Sequence, residues 1–251
     1  MIIGHSLQQK VFSRLIKENR LAGSFIFFGE PQVGKFTFAK FLSETLEPQS
    51  KILSETLIIQ PNEKETIGID KMRDIKKFLI QKPINALRRT VIINDAWCLT
   101  SEAQNAILKI TEEPPSYGLI ILILPNFDVL APTLVSRCRL VYFSRISTFE
   151  IAKWLMKKHK LSQNEAQKIA LESFGRPGLA ETLIKKEKPL KKEELISIDD
   201  YRCFVKGLII ELYQNKIKNS RQIAELLKRL QLMEGLNTNK KLQLETALWT
   251  R

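Results

Sequence analysis

Ser24-Phe25-Ile26-Phe27-Phe28-Gly29-Glu30-Pro31-Gln32-Val33-Gly34-Lys35-Phe36-Thr37 decides the reading of this chain. An apolar run ends at a glycine, a short loop follows, and a Gly-Lys pair opens the next segment. Gly29, Gly34 and Lys35 stand at the G-x-x-x-x-G-K spacing of a phosphate-binding loop. Such a loop aims its backbone N–H groups and a helix N-terminus at phosphate, and the lysine adds a point charge. The spacing also arises by chance, so its flanks carry the argument. Phe25–Phe28 reads as a buried strand, and Phe36–Leu46 as a helix with Phe38, Phe41 and Leu42 on one face. The position after Lys35, where a Ser or Thr hydroxyl would hold Mg²⁺, is Phe36. Thr37 lies one residue on, about 100° around the helix, and is a poor substitute.

Downstream, the apolar run in Arg89-Thr90-Val91-Ile92-Ile93-Asn94-Asp95-Ala96 predicts a buried parallel strand that delivers polar residues to its carboxyl end. In phosphoryl-transfer ATPases this strand end supplies an Asp for the metal shell and often a Glu for the attacking water. Here the two positions are Asn94, which is neutral, and Asp95, which is one methylene short. Shifting the register by one would make Asp95 the metal ligand but would turn the strand's faces over.

The remaining chain alternates in the same way. Gln8–Glu18 is amphipathic through Val11, Leu15 and Ile16, with Ser6 as its N-cap. Thr56–Ile59 is a short strand. Lys71–Gln81 is a helix bearing Met72, Ile75, Phe78 and Leu79, capped by Asp70 and stopped by Pro83. Thr100-Ser101-Glu102-Ala103 can cap a helix running to Thr111 with Ala103, Ala106, Ile107 and Ile110 inward. Leu119–Leu124 and Leu140–Phe143 are further strands. Strands alternating with helices predict a three-layer α/β domain with a mainly parallel sheet. After Arg145 no strand signal returns. Glu150–Lys158, Asn164–Glu172 and, beyond the break at Gly175-Arg176-Pro177-Gly178, Leu179–Ile184 form a small helical bundle. A basic run around Pro189 reads as a linker, and Asp200–Gln214, Ser220–Met233 and Lys240–Trp249 are amphipathic helical segments. The division that follows is an α/β domain over 1–146, a helical lid over 147–188 and a shortened all-α domain over 195–251.

Composition limits the function classes. At 44% hydrophobic the chain can bury cores, and no apolar run reaches the roughly 18 residues of a membrane span. The first residues lack the regions of a signal peptide, and Cys98, Cys138 and Cys203 are too scattered for a disulfide framework or a zinc site. A reducing cytoplasm is the expected setting, with no membrane partner. The net charge of +13 suits a chain that works near nucleic acid, and suits equally a solvated basic surface.

Taken in order, these stretches resemble the bacterial clamp-loader ATPases of the AAA+ class, and among them the delta-prime family of DNA polymerase III subunits. Ile3-Gly4-His5 resembles the family's adenine-side motif, and Gly29–Lys35 its P-loop. Ile67-Gly68-Ile69-Asp70-Lys71-Met72-Arg73 resembles its I-x-I-D-x-I-R helix start. Glu102–Lys109 with Glu112-Glu113-Pro114-Pro115 is similar to its most distinctive run, and Ser136-Arg137-Cys138 after Pro132-Thr133 to its SRC motif. Asn237–Glu245 resembles its last collar helix. The resemblance implies an AAA+ domain, a lid and a collar. It implies that Arg137 is an arginine finger acting in trans on a neighbour's ATP. It implies as partners motor subunits and a delta subunit in a hetero-pentamer, the sliding clamp, and primer–template DNA through the assembled complex.

The departures bear on the chain's own site. Phe36 and Asn94 replace both metal-holding groups, Gly178 occupies the place of the lid's sensor arginine with Arg176 two positions early, and the family's four-cysteine zinc module is missing around Glu47–Pro61. Gly29, Gly34, Lys35 and Thr37 then form a vestigial P-loop, and Asn94 and Asp95 a degenerate strand end. No metal ligand is expected, no cofactor is required, and ATP or ADP in the Lys35 loop is left as an alternative. The implied function is a non-catalytic stator during clamp loading in DNA replication. The rival is a self-sufficient AAA+ ATPase or motor subunit, with Thr37 or water replacing the lost ligand and Asp95 as base. A small P-loop nucleotide kinase would explain neither Ser136-Arg137-Cys138 nor the all-α final third.

Overall fold

The computed structural model describes residues 2–48 and 54–185. The chain divides into two compact units, Met1–Glu181 and Thr182–Arg251, and the first holds the α/β fold. The basic run after Lys185, the three amphipathic segments beyond it, the collar motif and Cys203 lie outside the described residues.

Five strands, β1 (Gly23–Phe28), β2 (Thr56–Ile59), β3 (Arg89–Ile93), β4 (Gly118–Leu124) and β5 (Arg139–Tyr142), form one sheet in the order β2-β3-β4-β1-β5. Every pairing is parallel. Parallel neighbours need crossovers, which α2 (Lys35–Leu46), α3 (Ile69–Ile80) and α4 (Ser101–Glu112) supply. α1 (Ser6–Lys17) precedes the sheet, and the short α5 (Pro132–Val135) leads into β5.

The sheet is buried on both faces, and strand alternation sorts its side chains into two cores. Phe25 and Phe27 of β1, Ile92 of β3 and Leu119, Ile121 and Ile123 of β4 meet α1 and α2 through Phe12, Phe38 and Leu42. Ile26, Val91, Ile93, Ile120 and Leu122 point the other way, onto Met72, Ile75 and Leu79 of α3 and Ala103 and Ile107 of α4. Phe12, Phe27 and Phe38 contact one another edge-on at centroid distances of 5.6–5.9 Å. Truncating one such ring costs on the order of 3–5 kcal/mol.

Several expected details are corrected. The cap of α1 is His5, in the left-handed region at φ 54°, and Ser6 is the first helical residue. The His5 ring is held by Val33, which sets that backbone turn. The buried residue of α1 is Phe12, whereas Val11 is exposed. On α2, Phe41 is exposed and Ala39 takes the inward place. α3 is capped at Gly68; Asp70 sits in the first turn and pairs with Arg73 at 2.8 Å. Within the stretch Thr100-Ser101-Glu102-Ala103 it is Thr100 that caps α4, its hydroxyl oxygen accepting from the Ala103 amide at 3.2 Å.

Beyond β5 follow α6 (Thr148–His159), α7 (Gln163–Glu172) and α8 (Pro177–Lys185), and α6, α7 and the first turn of α8 belong to the same unit as the sheet. Ser147 and Ser162 cap α6 and α7, the latter in a reciprocal box with Glu165. α8 starts at Pro177, inside the stretch expected to be a break, because proline is pre-set for a first helical position. Among the described residues no helix is long and apolar enough to cross a membrane. Cys98 and Cys138 are free thiols.

Candidate functional site

The carboxyl ends of β1 and β3 open onto one cavity of about 360 Å³. The loop after β1 turns sharply because Gly29 takes φ 133°, where a Cβ would lie 2.2 Å from the Phe143 carbonyl oxygen. Gln32 follows in the left-handed region, and Gly34, at φ 105°, caps α2 and leaves Lys35 as its first residue.

Lys35 is buried at 6% exposure. Its Nζ donates to the carbonyls of Gly29 at 2.5 Å and Glu30 at 2.7 Å. Burial lowers its pKa to about 8, while the charges of Asp95 and Glu30 pull the other way. Asp95 is the residue of the β3 end that faces this cation. Burial raises its pKa, and Lys35 opposes the rise. Asn94 donates through Nδ2 to Asp95 Oδ2 at 2.8 Å, and its backbone N–H extends the sheet by bonding Ile59.

The structure thus brings Gly34, Lys35, Thr37, Asn94 and Asp95 to one cavity, with Gly29 holding the lysine from below. Phe36 lines it as well and offers no oxygen. A divalent cation bound as in phosphoryl transfer needs oxygen ligands beside the phosphates, and this donor set, with Phe36 in place of a hydroxyl and a neutral Asn94 that bonds Asp95, does not fit it.

On the N-terminal side, Ile2 and Ile3 line the cavity. The His5 Nε2–H donates to the Val33 carbonyl at 2.9 Å, and the ring packs edge-on against Phe143 at 4.8 Å. Burial lowers the pKa of His5. The helices after β5 contribute Trp154 and Lys158 from α6 and Gly178 and Glu181 from α8, and the turn after β3 contributes Trp97. Gly178 is the position that the sequence resemblance aligns with the sensor arginine; Trp154, Lys158, Glu181 and Trp97 are not anticipated. Trp97, two positions after Asp95, was the one with a local signal, while the others reach the site only through tertiary packing.

Arg137 is absent from the lining of this cavity. It precedes β5, whose Arg139 is level with Phe25, whereas the phosphate loop leaves β1 beyond the Phe28–Tyr142 level. At a strand rise of about 3.3 Å per residue, the arginine lies at the far end of the strand from its own loop. Its Nη1 donates to the Thr133 carbonyl at 2.8 Å. Its Nε faces Glu112 Oε2 at 3.2 Å as an ion pair without the alignment of a hydrogen bond.

Comparison with known proteins agrees with this architecture. A gamma-subunit-related protein of DNA polymerase III from Thermotoga maritima superposes with a TM-score of 0.63 at 24% identity, covering 97% of this chain and 98% of that one. The DNA polymerase III subunit gamma/tau of Mycoplasma genitalium is 26% identical over 221 residues, which are 79% of this chain and 37% of the relative. The delta' subunit of Escherichia coli is 32% identical over 132 residues, 53% of this chain and 40% of the relative. The chain therefore spans well under half the length of either curated relative. The profile described as DNA polymerase III, delta subunit, matches residues 4–147, more than half of the chain. With its parallel P-loop sheet and its run of motifs, the chain belongs to that DNA polymerase III family, among the clamp-loader proteins of the AAA+ class.

Proposed function

We propose that this chain is a delta-prime-type stator of a clamp-loader assembly. It joins motor subunits and a delta subunit, and it donates Arg137 to the ATP site of an adjoining motor subunit during loading of the sliding clamp onto primed DNA. What carries the reading is the opposition between its two candidate centres. The P-loop cavity keeps its lysine but has Phe36 and Asn94 at the metal positions, while Arg137 sits at the other end of β5, one-third exposed at 32%. A guanidinium fork suits charge developing on a transferring phosphoryl group. The chain would perform no phosphoryl transfer itself and would require no cofactor.

The test is DNA-stimulated ATP hydrolysis by the full chain mixed with motor and delta subunits, clamp and primed DNA. Arg137→Ala should cut turnover while the complex still assembles; undiminished turnover would end the finger assignment.

A second reading, an ATP-hydrolysing subunit, draws on the similarity to a gamma/tau protein and on Asp95 facing Lys35. Under it the isolated chain would hydrolyse ATP and lose that activity in Lys35→Ala.

A further inference from the structure

The P-loop cavity contains a second pair of opposite charges. Lys158 on α6 and Glu181 on α8 both line it, and their side chains form an ion pair. Lys158 Nζ also stands 5.0 Å from the ring centroid of Trp154, another wall of the cavity. Lys35 and Lys158 are the cations lining the cavity among the described residues; Lys158 is paired with Glu181, while Lys35 bonds two loop carbonyls and only feels the charge of Asp95.

The seat of α8 explains why Lys158 stands alone on the lid side. The Gly178 amide donates to the Gln32 carbonyl at 3.0 Å. A Cβ at Gly178 would meet the Cβ of Gln32 at 3.0 Å and its carbonyl oxygen at 3.2 Å. The place where the clamp-loader resemblance puts a sensor arginine therefore has little room for a side chain while α8 rests on the loop. A pocket that lacks metal ligands has to balance phosphate charge with protein cations, and Lys158 is the lid residue positioned to add one to Lys35.

We propose that Lys158 is the lid-side phosphate contact of this cavity and that Glu181 is its built-in competitor, so that a nucleoside polyphosphate enters only by displacing the Glu181 carboxylate. This deepens the stator reading, on which it rests, by naming what keeps the chain's own pocket weakly occupied. The pair is partly exposed, its side chains at 49% and 32%, and such pairs are worth little, so displacement changes affinity by about fivefold at most.

The experiment is equilibrium dialysis of ADP against the full chain in EDTA, with adenosine as the uncharged control. Glu181→Gln should tighten ADP about fivefold and leave adenosine unchanged. Lys158→Ala should weaken ADP, and the double variant should bind it like Lys158→Ala alone. Equal ADP affinity in wild type and Glu181→Gln, no ADP bound by either, or an equal shift for adenosine would overturn the proposal and leave a purely structural ion pair. Because the Arg137→Ala assay reads a neighbour's turnover, failure here leaves that result standing, and the converse also holds.

Discussion

The amide of Gly178 donates to the carbonyl of Gln32 at 3.0 Å, so the first turn of α8 rests directly on the phosphate loop. The same loop is held from inside by Lys35, which donates to two of its carbonyls, and from below by the close approach of Gly29 to Phe143. These contacts shape the loop through the protein alone. Gly29, Gly34 and Lys35 therefore have a structural role that is independent of nucleotide turnover.

Gly29→Ala tests that independence. Its Cβ would lie 2.2 Å from a backbone oxygen, at a φ of 133° that side chains rarely adopt. Backbone cannot step aside as a flexible side chain can, so the expected loss is about 3 kcal/mol or more. Urea unfolding without nucleotide should show it, and a loss below about 1 kcal/mol would mean the end of β5 moves freely.

Lys35 gives a pH signature. Its pKa falls from 10.5 to about 8 on folding. Below pH 8 it is charged in both states and the burial penalty is fully present. Between pH 8 and 10.5 the folded form releases its proton first, the unfolded chain binds more, and stability rises with pH. Relative to Lys35→Met, wild type should gain by at most about 1.4 kcal/mol per pH unit across that window, read from paired urea titrations. A flat difference would mean that water reaches the ammonium.

The sheet was legible because its strands are nearly continuous apolar runs, and the cavity's floor because the Gly29–Lys35 and Asn94–Asp95 stretches are contiguous in sequence. What the sequence concealed depends on distance along the chain. Ser6 and Asp70 carry the composition of caps, yet the backbone turns one or two residues earlier, at His5, whose ring bonds the distant Val33, and at Gly68. Phe41 has the right spacing for the core but faces outward, because Phe38, Ala39 and Leu42 already fill that stripe. Lys158 and Glu181 reach the cavity from α6 and α8, and α8 rests on the loop through the Gly178–Gln32 bond, which no local pattern announces.

Glu55 is another long-range element that reads as loop. Its Oε1 accepts from the amides of Ile84 and Asn85 at 2.6 and 3.0 Å, and its Oε2 faces Arg89 Nε at 3.3 Å. Burial pushes its pKa up, but the Asn85, Ile84 and Arg89 bonds outweigh this and hold it below 4.5. Glu55→Gln should cost about 3 kcal/mol at neutral pH, since it leaves a buried guanidinium without its counter-charge. The depressed pKa means that the wild-type advantage is present above pH 4.5 and is lost as pH falls below it. An advantage that persists at pH 2 would remove the charge from the explanation.

Arg137 and Glu112 supply the last test. A finger must deliver two parallel N–H groups in a fixed plane, which an ammonium cannot reproduce. Arg137→Lys should therefore behave like Arg137→Ala in the assembled complex, with DNA-stimulated turnover at least about tenfold down, a modest share of what such arginines contribute to phosphoryl transfer. Glu112, 56% exposed, is a local tether for the Nε, and its pair is worth no more than about 1 kcal/mol. Glu112→Gln should accordingly keep turnover within about fivefold of wild type. The pair of variants separates geometry from charge: full activity in Arg137→Lys would reduce the arginine to a diffuse positive charge. A collapse in Glu112→Gln as deep as in Arg137→Ala would instead make the ion pair, rather than the guanidinium's reach to a neighbour, the functional feature.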